Sequence, residues 1–281
     1  MNRITEKRQL SADVFRMTFE APYIAEARRP GQFIIIQLDD DFGERIPLTI
    51  ADADSDAGTI TIIFQAVGKT TINLSTLDAG NSIANVLGPL GTPTHVEQWG
   101  TAVCVGGGIG VAPLHPIVQA VKQAGNKVIT IMGARNRDLL ILEEEMRRWS
   151  DEVIVCTDDG SYGRKDLVTA PLKELCEAGT PDIVFAIGPP IMMKFAAETT
   201  RPYEVRTMVS LNTIMVDGTG MCGGCRVTVG GETKFVCVDG PEFDGHLVDF
   251  ENMISRQRAY VKQESGAREQ CFIGLKQEDE R

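Results

Sequence analysis

The sequence lacks any long apolar run, although 43% of its 281 residues are hydrophobic. A membrane-spanning helix needs roughly 18 consecutive apolar residues, and no stretch approaches that length. The first ten residues, MNRITEKRQL, are also too polar for the apolar core of a secretory signal peptide. We therefore expect a cytoplasmic globular protein.

Positive charge is scarce as well. Lys and Arg number 28 against 39 Asp and Glu, which gives a formal net charge of -11. A field of this sign repels nucleic-acid phosphates and anionic lipid headgroups. Neither nucleic acid nor a membrane is therefore predicted as a partner.

Histidine is rarer still, since the chain contains only His95, His115 and His246. Their spacing does not match a set of metal ligands, and no serine or cysteine stands beside a base in the pattern of a nucleophile. The sequence therefore gives no indication of hydrolysis.

Six of the seven cysteines fall into two groups of three. Cys104, Cys156 and Cys176 lie within apolar strand or helix patterns and are predicted to be packed thiols. Cys271 lies in the polar tail, and the sequence assigns it no role. The remaining three lie close together and are Cys222, Cys225 and Cys237. In a reducing compartment, such a cluster of cysteines indicates metal binding more strongly than it indicates disulfide bonds.

Short apolar runs separated by Gly, Pro and Asp turns occupy residues 1–97. They are Val14–Phe19, Phe33–Leu38, Pro47–Ala51 and Thr59–Val67. Closely spaced short strands without long helical patterns are typical of an antiparallel barrel or sandwich. We predict a β-barrel domain here.

Residues 98–210 alternate apolar strands with helical patterns. The strands are Ala102–Val105, Val128–Met132, Val153–Cys156 and Ile183–Ile187, and the helices are Pro113–Ala124, Leu140–Trp149 and Leu167–Ala178. This rhythm predicts an α/β domain with a parallel sheet, an architecture typical of nucleotide binding. Residues 211–281 form a third, short region that is rich in Gly and Cys and ends in a polar tail.

The glycine-rich loop 106–110 follows the first of these strands and leads into a helix with Pro113 near its first turn. Glycines let a backbone approach a pyrophosphate, and a helix N-terminus offers free N–H groups. The run does not match G-x-G-x-x-G, and a tight strand-to-helix turn is the alternative interpretation. The residues that we expect to hold the nucleotide phosphates are Gly107, Gly108, Ile109, Gly110 and Pro113.

Two segments of the barrel region carry groups suited to a flavin. They offer an arginine for a pyrophosphate, a strand edge with hydroxyls for the ring, and a loop of glycine and hydroxyls for phosphates. Read alone, Arg-x-Pro-Leu-Thr is more often an ordinary strand end. The residues that we expect to bind FAD are Arg45, Pro47, Leu48, Thr49, Phe64, Gln65, Val67, Gly68, Thr70 and Thr71.

The third motif is D-x₄-C-x₂-C-x₁₁-C, formed by Asp217, Cys222, Cys225 and Cys237. Plant-type [2Fe–2S] sites use C-x₄-C-x₂-C and a distant cysteine, so an aspartate occupies the first ligand position here. Glycines around the cysteines permit a tight loop and leave N–H groups free for the cluster sulfides. Zinc is the alternative, because three thiolates and an oxygen donor can complete a tetrahedral site.

In this order the motifs resemble those of the ferredoxin-NADP⁺ reductase-like flavoproteins, in the branch with a C-terminal [2Fe–2S] segment. Arg45-x-Pro47-Leu48-Thr49 resembles the FAD signature of that family, and Gly107-Gly108-Ile109-Gly110-x-x-Pro113 resembles its pyridine nucleotide loop. A further segment, Ile187-Gly188-Pro189-Pro190-x-Met192-Met193, resembles the family's strand end beside the nicotinamide. The resemblance covers nearly the whole chain.

The resemblance implies an NAD(P)H-dependent oxidoreductase subunit with FAD, NAD(H) and a [2Fe–2S] cluster. A flavin can take a hydride from a nicotinamide and release single electrons to the cluster, so no residue is required as a general acid or base. Gly188, Pro189 and Met192 are expected beside the nicotinamide. Asp217 and the three clustered cysteines are expected to bind the iron.

The resemblance also places the adenosine end of the nucleotide near Asp158 and Asp159. Carboxylates repel a 2′-phosphate, which favours NAD over NADP. Three arginines are near enough in sequence to reverse the local electrostatic field and so to favour NADP. They are Arg135, Arg137 and Arg164. A solvated Asp-Gly turn is the alternative for the two aspartates.

Two groups compete within this branch: small subunits of NADH-dependent ferredoxin:NADP⁺ oxidoreductases and electron-transfer subunits of dihydroorotate dehydrogenases. Asp217 favours the first, because the dihydroorotate type is expected to have cysteine there. That resemblance implies a heterodimer with a larger, glutamate synthase-like flavin and iron–sulfur subunit, electron bifurcation, and ferredoxin as an indirect partner. A stand-alone NADH-ferredoxin reductase remains a further alternative.

Overall fold

The computed structural model describes residues 2–38 and 43–269. Within these ranges the chain forms a barrel, a mixed sheet flanked by helices, and a small C-terminal unit. No helix in the described ranges is long and apolar enough to cross a membrane. Cys271 lies outside the described residues.

The first unit is a nearly closed antiparallel barrel of strand order β6-β1-β2-β5-β4-β3-β7. Its strands are β1 (Asn2–Gln9), β2 (Val14–Glu20), β3 (Phe33–Gln37), β4 (Arg45–Asp54), β5 (Thr59–Gln65), β6 (Ser82–Ile83) and β7 (Asn85–Leu90). Helix α1 (Pro22–Ala27) follows β2, and α2 (Lys69–Thr76) follows β5. Alternating apolar residues of these strands point inward and fill the barrel with Phe19, Ile34, Ile36, Ile60 and Ile62.

The second unit is a sheet of order β10-β9-β8-β11-β12-β15, in which the first five strands are parallel. The parallel strands are β8 (Thr101–Gly107), β9 (Lys127–Ala134), β10 (Glu152–Thr157), β11 (Ile183–Ile187) and β12 (Thr207–Ser210). The helices between them are α3 (Val111–Gln123), α4 (Glu143–Trp149), α5 (Thr169–Glu177) and α6 (Pro190–Thr200). The helices cover both faces, so the central strands are apolar throughout.

The C-terminal unit contains a small hairpin, β13 (Arg226–Val229) and β14 (Glu232–Phe235), followed by α7 (Val236–Asp239). Strand β15 (Glu242–Asp244) then pairs antiparallel with β12 and completes the edge of the second sheet. Helix α8 (Phe250–Gln257) follows, and residues 261–269 are also helical.

One apolar cluster joins all three units. Phe33 and Ile35 of the barrel, Val105 of the second sheet, and Cys225 and Cys237 of the C-terminal unit are buried in a single apolar cluster. The predicted fold class is confirmed: an antiparallel barrel, a parallel α/β sheet and a small cysteine-bearing segment. The division at residues 97 and 210 stays a prediction, and β15 shows that the third region contributes a strand to the second.

Candidate functional site

A cleft of about 1060 Å³ lies between the barrel and the parallel sheet. Its barrel wall comes from the ends of β4 and β5 and from the first turn of α2. Seven of the residues predicted to bind FAD line it: Pro47, Leu48, Thr49, Phe64, Gln65, Val67 and Thr71. The register of β4 and β5 thus brings the two barrel motifs, which are separate in sequence, to one surface.

The opposite wall contains the glycine-rich loop after β8. Gly107, Gly108, Ile109, Gly110 and Pro113 all line the cleft. The chain turns through Gly108–Gly110 directly into α3, so the first N–H groups of a thirteen-residue helix open toward the cleft. Such an N-terminus is suited to an anion.

A second loop packs against the first because β11 is the parallel neighbour of β8. Gly188, Pro189 and Met192 line the cleft, and α6 begins at Pro190. A Cβ on Gly110 would overlap the carbonyl oxygen of Ile187, and one on Gly188 would lie 3.2 Å from the Cα of Gly107. Residues without side chains are therefore needed where the two loops meet.

Four of the predicted cofactor residues lie outside the lining of the cleft. Arg45 instead donates a hydrogen bond from its guanidinium to the carbonyl oxygen of Asp217 at 3.5 Å. Thr70 donates to the carboxylate of Glu44, and the N–H of Gly68 donates to Thr71 Oγ1 at 3.0 Å. Asp159 is the fourth.

Asp158 and Asp159 occupy different environments. Asp158 lines the cleft together with Arg135. Asp159 instead accepts a hydrogen bond from the N–H of Ser161 at 2.8 Å. Hydrogen bonding to Ser161, by its side chain first and then by this N–H, lowers the pKa of the Asp159 carboxyl. The turn interpretation therefore fits Asp159, while Asp158 keeps its place at the site.

One of the nearby arginines is already paired. Arg164 contacts Asp166 at 3.0 Å and Glu174 at 2.7 Å, and its pKa is raised chiefly by the hydrogen bonds to Glu174. Arg137 lies over the ring of Tyr162, 5.4 Å from its centre. Arg135 is thus the arginine of these three that lines the cleft.

Part of the cleft lining is not predicted by the sequence. Phe33 and Ile63 come from barrel strands, Ile191 and Phe195 from α6, and Thr213 from the segment after β12. The sequence of an apolar strand does not show whether its side chains line a cleft or pack in the core. The exposed Ile191 and Phe195 occur on an otherwise ordinary amphipathic helix, and only the tertiary packing places them at the cleft.

The segment 217–225, here called the cysteine loop, lies on the side of the barrel motif Arg45–Thr49 that is away from the cleft. Cys225 and Cys237 are buried with their sulfur atoms 3.2 Å apart, and burial raises the pKa of Cys237 to about 12. Cys222 is exposed and accepts a hydrogen bond from the N–H of Gly224 at 3.4 Å. Metal binding to these thiols must release their protons.

Asp217 begins the loop and organises its backbone. One carboxylate oxygen accepts a hydrogen bond from the N–H of Thr219 at 2.8 Å and the other from the N–H of Cys222 at 2.9 Å. These bonds, that from Thr219 first, lower the pKa of the carboxyl. The anion is therefore held at the loop that carries the cysteines.

The donor set fits an iron–sulfur cluster, because it offers three thiols and one carboxylate at the spacing D-x₄-C-x₂-C-x₁₁-C. A structural zinc requires a complete tetrahedral set at one point, whereas a [2Fe–2S] cluster takes a pair of ligands at each iron. The Cys225–Cys237 pair provides one such pair, and the Gly224 N–H directed at Cys222 is of the kind that stabilises cluster sulfur.

Among the described residues, the three other cysteines and the histidines do not line the cleft and lie outside the Asp217–Cys237 ligand set. Cys104, Cys156 and Cys176 are buried, as predicted, and burial raises the pKa of each thiol. His115 is buried on α3, and burial lowers its pKa. His246 shares a hydrogen bond with Thr200 Oγ1 at 2.9 Å.

Two family models match the chain. Residues 212–249 match the iron-sulfur cluster binding domain of dihydroorotate dehydrogenase B. Residues 104–198 match the oxidoreductase NAD-binding domain.

Curated relatives extend this similarity to nearly the full length. A dihydroorotate dehydrogenase B (NAD(+)) electron transfer subunit homolog of Thermotoga maritima is 47% identical over 94% of this chain and 93% of its own. The dihydroorotate dehydrogenase B (NAD(+)) electron transfer subunit of Caldanaerobacter subterraneus is 33% identical over 86% of this chain and 94% of its own.

Among solved structures, a chain of the NADH-dependent reduced ferredoxin-NADP oxidoreductase, described for its flavin-based electron bifurcation, superimposes with a TM-score of 0.91. It is 46% identical, and the match covers 96% of this chain and 97% of that one. A ferredoxin NADP+ reductase from Neisseria gonorrhoeae with bound FAD and NADP, at 15% identity and a TM-score of 0.59, shares the fold over 72% of this chain and 90% of its own.

Proposed function

Because the chain belongs to the family of dihydroorotate dehydrogenase B electron-transfer subunits and their homologues, we propose that it is the NAD(H)-linked electron-transfer subunit of an electron-bifurcating oxidoreductase. The resemblance to the ferredoxin-NADP⁺ reductase-like flavoproteins is confirmed. The chain is a subunit of a redox enzyme, and its cofactors are FAD, NAD(H) and an iron–sulfur cluster.

One observation supports the electron path above all others. The barrel motif lies between two sites: it forms one wall of the cleft whose other wall is the nucleotide loop, and its first residue, Arg45, reaches the carbonyl of Asp217 in the cysteine loop. A bound flavin exchanges hydride pairs with a nicotinamide and single electrons with a cluster. A flavin at this motif therefore lies beside both exchange partners.

The residues of the cleft would then bind and orient. Gly107–Gly110 and the N-terminus of α3 would hold the nucleotide pyrophosphate, while Gly188, Pro189 and Met192 would seat the nicotinamide. Pro47–Thr49 and Phe64–Val67 would contact the flavin ring. The apolar walls exclude water from the place where hydride is exchanged.

The flavin phosphates need their own donors. Thr71 lines the cleft and Gly68 precedes α2, so the first turn of this helix is suited to them. Arg45 carries the positive charge of the motif. Thr70 holds Glu44 beside the same turn.

Asp217, Cys222, Cys225 and Cys237 would hold the cluster. Cys225 and Cys237 already adjoin, and the exposed Cys222 follows the loop that the Asp217 carboxylate organises. Three thiolates and one carboxylate distinguish this ligand set from the all-cysteine set expected of the dihydroorotate type.

The nucleotide would be NAD(H) rather than NADP(H). Asp158 lines the cleft, and Arg164 is engaged by Asp166 and Glu174, so the local field disfavours a 2′-phosphate. Arg135 lines the same wall of the cleft, and its positive charge reduces the preference for NAD(H) over NADP(H).

The family consists of electron-transfer subunits, so a larger partner subunit follows from membership. We propose a cytoplasmic heterodimer with a glutamate synthase-like flavin and iron–sulfur subunit, and ferredoxin as an indirect partner. The close similarity to the bifurcating oxidoreductase chain and the aspartate at residue 217 support this choice.

A second candidate is the electron-transfer subunit of a dihydroorotate dehydrogenase. The names of the curated relatives and the matching iron–sulfur domain favour it. The two candidates share all internal cofactors and differ in the partner.

The internal electron path can be tested on chain prepared without oxygen. We expect yellow-brown protein with one FAD and about two irons per chain, and a paramagnetic cluster signal after addition of NADH. Colourless protein that contains zinc would contradict the proposal.

A pair of cysteine variants provides the control. Cys225→Ala should lose the iron and keep the FAD, because Cys225 is one of the two adjoining thiols. Cys176→Ala, also buried but on α5, should keep both. Retention of iron in Cys225→Ala would exclude this cysteine as a ligand.

A further inference from the structure

The cysteine loop rests on the barrel at Gly218. Its φ angle is +76°, in the left-handed region. A Cβ at this position would lie 2.8 Å from Leu90 Cδ1 and 2.9 Å from Ile35 Cγ1, closer than real Cβ contacts occur. The absence of a side chain is therefore what lets the loop backbone lie directly on β3 and β7.

The strand beneath Gly218 adjoins the flavin motif. Ile35 pairs across the sheet with Pro47, and Phe33, which lines the cleft, pairs with both Thr49 and Leu90. Ile35 thus stands between the cysteine loop on one side and the flavin-facing strand on the other.

Other contacts hold the C-terminal unit to the barrel independently of this point. The N–H of Thr92 donates to the carbonyl of Gly240 at 2.6 Å, and Thr92 Oγ1 donates to the carbonyl of Val238 at 3.1 Å. A side chain at residue 218 would therefore displace the loop locally without releasing the unit.

We propose that Gly218 is a positioning residue that fixes how closely the cluster site approaches the flavin site. The inference rests on the proposed function, because it concerns the step between those two cofactors. A loop raised from β3 and β7 lengthens that separation, whereas hydride exchange in the cleft is unaffected.

The test compares Gly218→Ala with Gly231→Ala in the cofactor-loaded chain. Gly231 has a φ angle of +80° but nothing within 4 Å of its Cβ position, so this variant carries the same backbone strain without the contact. After rapid mixing with NADH, flavin bleaching should keep its rate in both variants. Cluster reduction should slow about tenfold in Gly218→Ala alone, since electron transfer depends on exact placement of the groups.

Amide hydrogen exchange gives a readout that does not depend on turnover. Gly218→Ala should expose the amides of residues 33–37 and 217–222 to faster exchange, and Gly231→Ala should not. A second variant, Gly218→Ala with Leu90→Ala, removes the nearest clashing atom and should recover part of the cluster reduction rate.

Each outcome is decisive. Equal cluster reduction in the two glycine variants would overturn the positioning role. Native chain that binds FAD and iron but never reduces its cluster with NADH would instead overturn the proposed function.

Discussion

Asp217 stands where the iron–sulfur pattern expects a cysteine. The sequence could identify this position by spacing alone, but not that both carboxylate oxygens accept N–H groups of the same loop. Those bonds hold the anion in place before any metal binds, because a folded loop satisfies its own donors. The residue therefore shapes the loop as well as contributing charge to it.

Replacing this aspartate tests both roles. Asp217→Cys should retain the cluster and lower its midpoint potential, because a soft thiolate donates more charge to iron than a hard carboxylate. Asp217→Ala should hold less iron, since it removes a donor and the anchor of the loop. Iron analysis and an anaerobic redox titration measure the two effects.

An unchanged midpoint potential in Asp217→Cys would remove any tuning role for the carboxylate. Full iron content in Asp217→Ala would show that some other group completes the ligand set.

At the scale of elements, the sequence predicted the strands that carry clear apolar runs, such as β8 and β11, and missed strands without such runs, such as β1. Strand β1 carries only one fully buried apolar residue, Ile4, so its pattern reads as polar. Helix α2 was not predicted, because the residues at its start, Gly68–Thr71, have the composition of a phosphate-binding loop. Arg45 was assigned to the flavin from its motif, and only the tertiary structure shows that it also reaches the cysteine loop.

Strand β15 illustrates a contact between elements that composition cannot reveal. Its Glu242 accepts a hydrogen bond from Thr94 Oγ1 at 2.5 Å, and Thr94 lies in the connection between barrel and sheet. Burial raises the pKa of Glu242 to about 7. The carboxyl thus links the C-terminal unit to the barrel connection.

This pKa predicts how stability changes with pH. Between the ordinary value of 4.5 and about 7, the folded chain keeps a proton on Glu242 that the unfolded chain has lost. The free energy of unfolding therefore falls as the pH rises through this window, and the deficit persists above it. Glu242→Gln should be more stable than the native chain at pH 8 by about 1 to 3 kcal/mol, and similar to it near pH 4.5.

Denaturant unfolding at the two pH values measures the difference. Glu152→Gln, at an exposed side chain at the start of β10, is the matched control: it keeps Glu242 and should show the same pH dependence of stability as the native chain. A Glu242→Gln variant that is less stable than the native chain at pH 8 would show that the carboxylate is favourably held when charged.

At the scale of the whole molecule, the cysteine loop reaches the surface among apolar side chains. Val216, Val238 and Met221 are 51%, 42% and 89% exposed. Their exposure beside the loop gives a chain of net charge -11 an apolar surface at this place. An electron that reaches the cluster would leave the chain here.

We therefore expect the larger subunit to cover this loop. Met221→Glu should weaken copurification of the partner from native cells about tenfold or more, because it places a charge in an apolar interface, while NADH still bleaches the flavin of the isolated chain. Tyr23→Glu, at an equally exposed side chain on α1, should leave the complex intact. Identification of the copurified chain then separates the two candidate functions: a glutamate synthase-like flavoprotein supports the bifurcating enzyme, and a dihydroorotate dehydrogenase would contradict it.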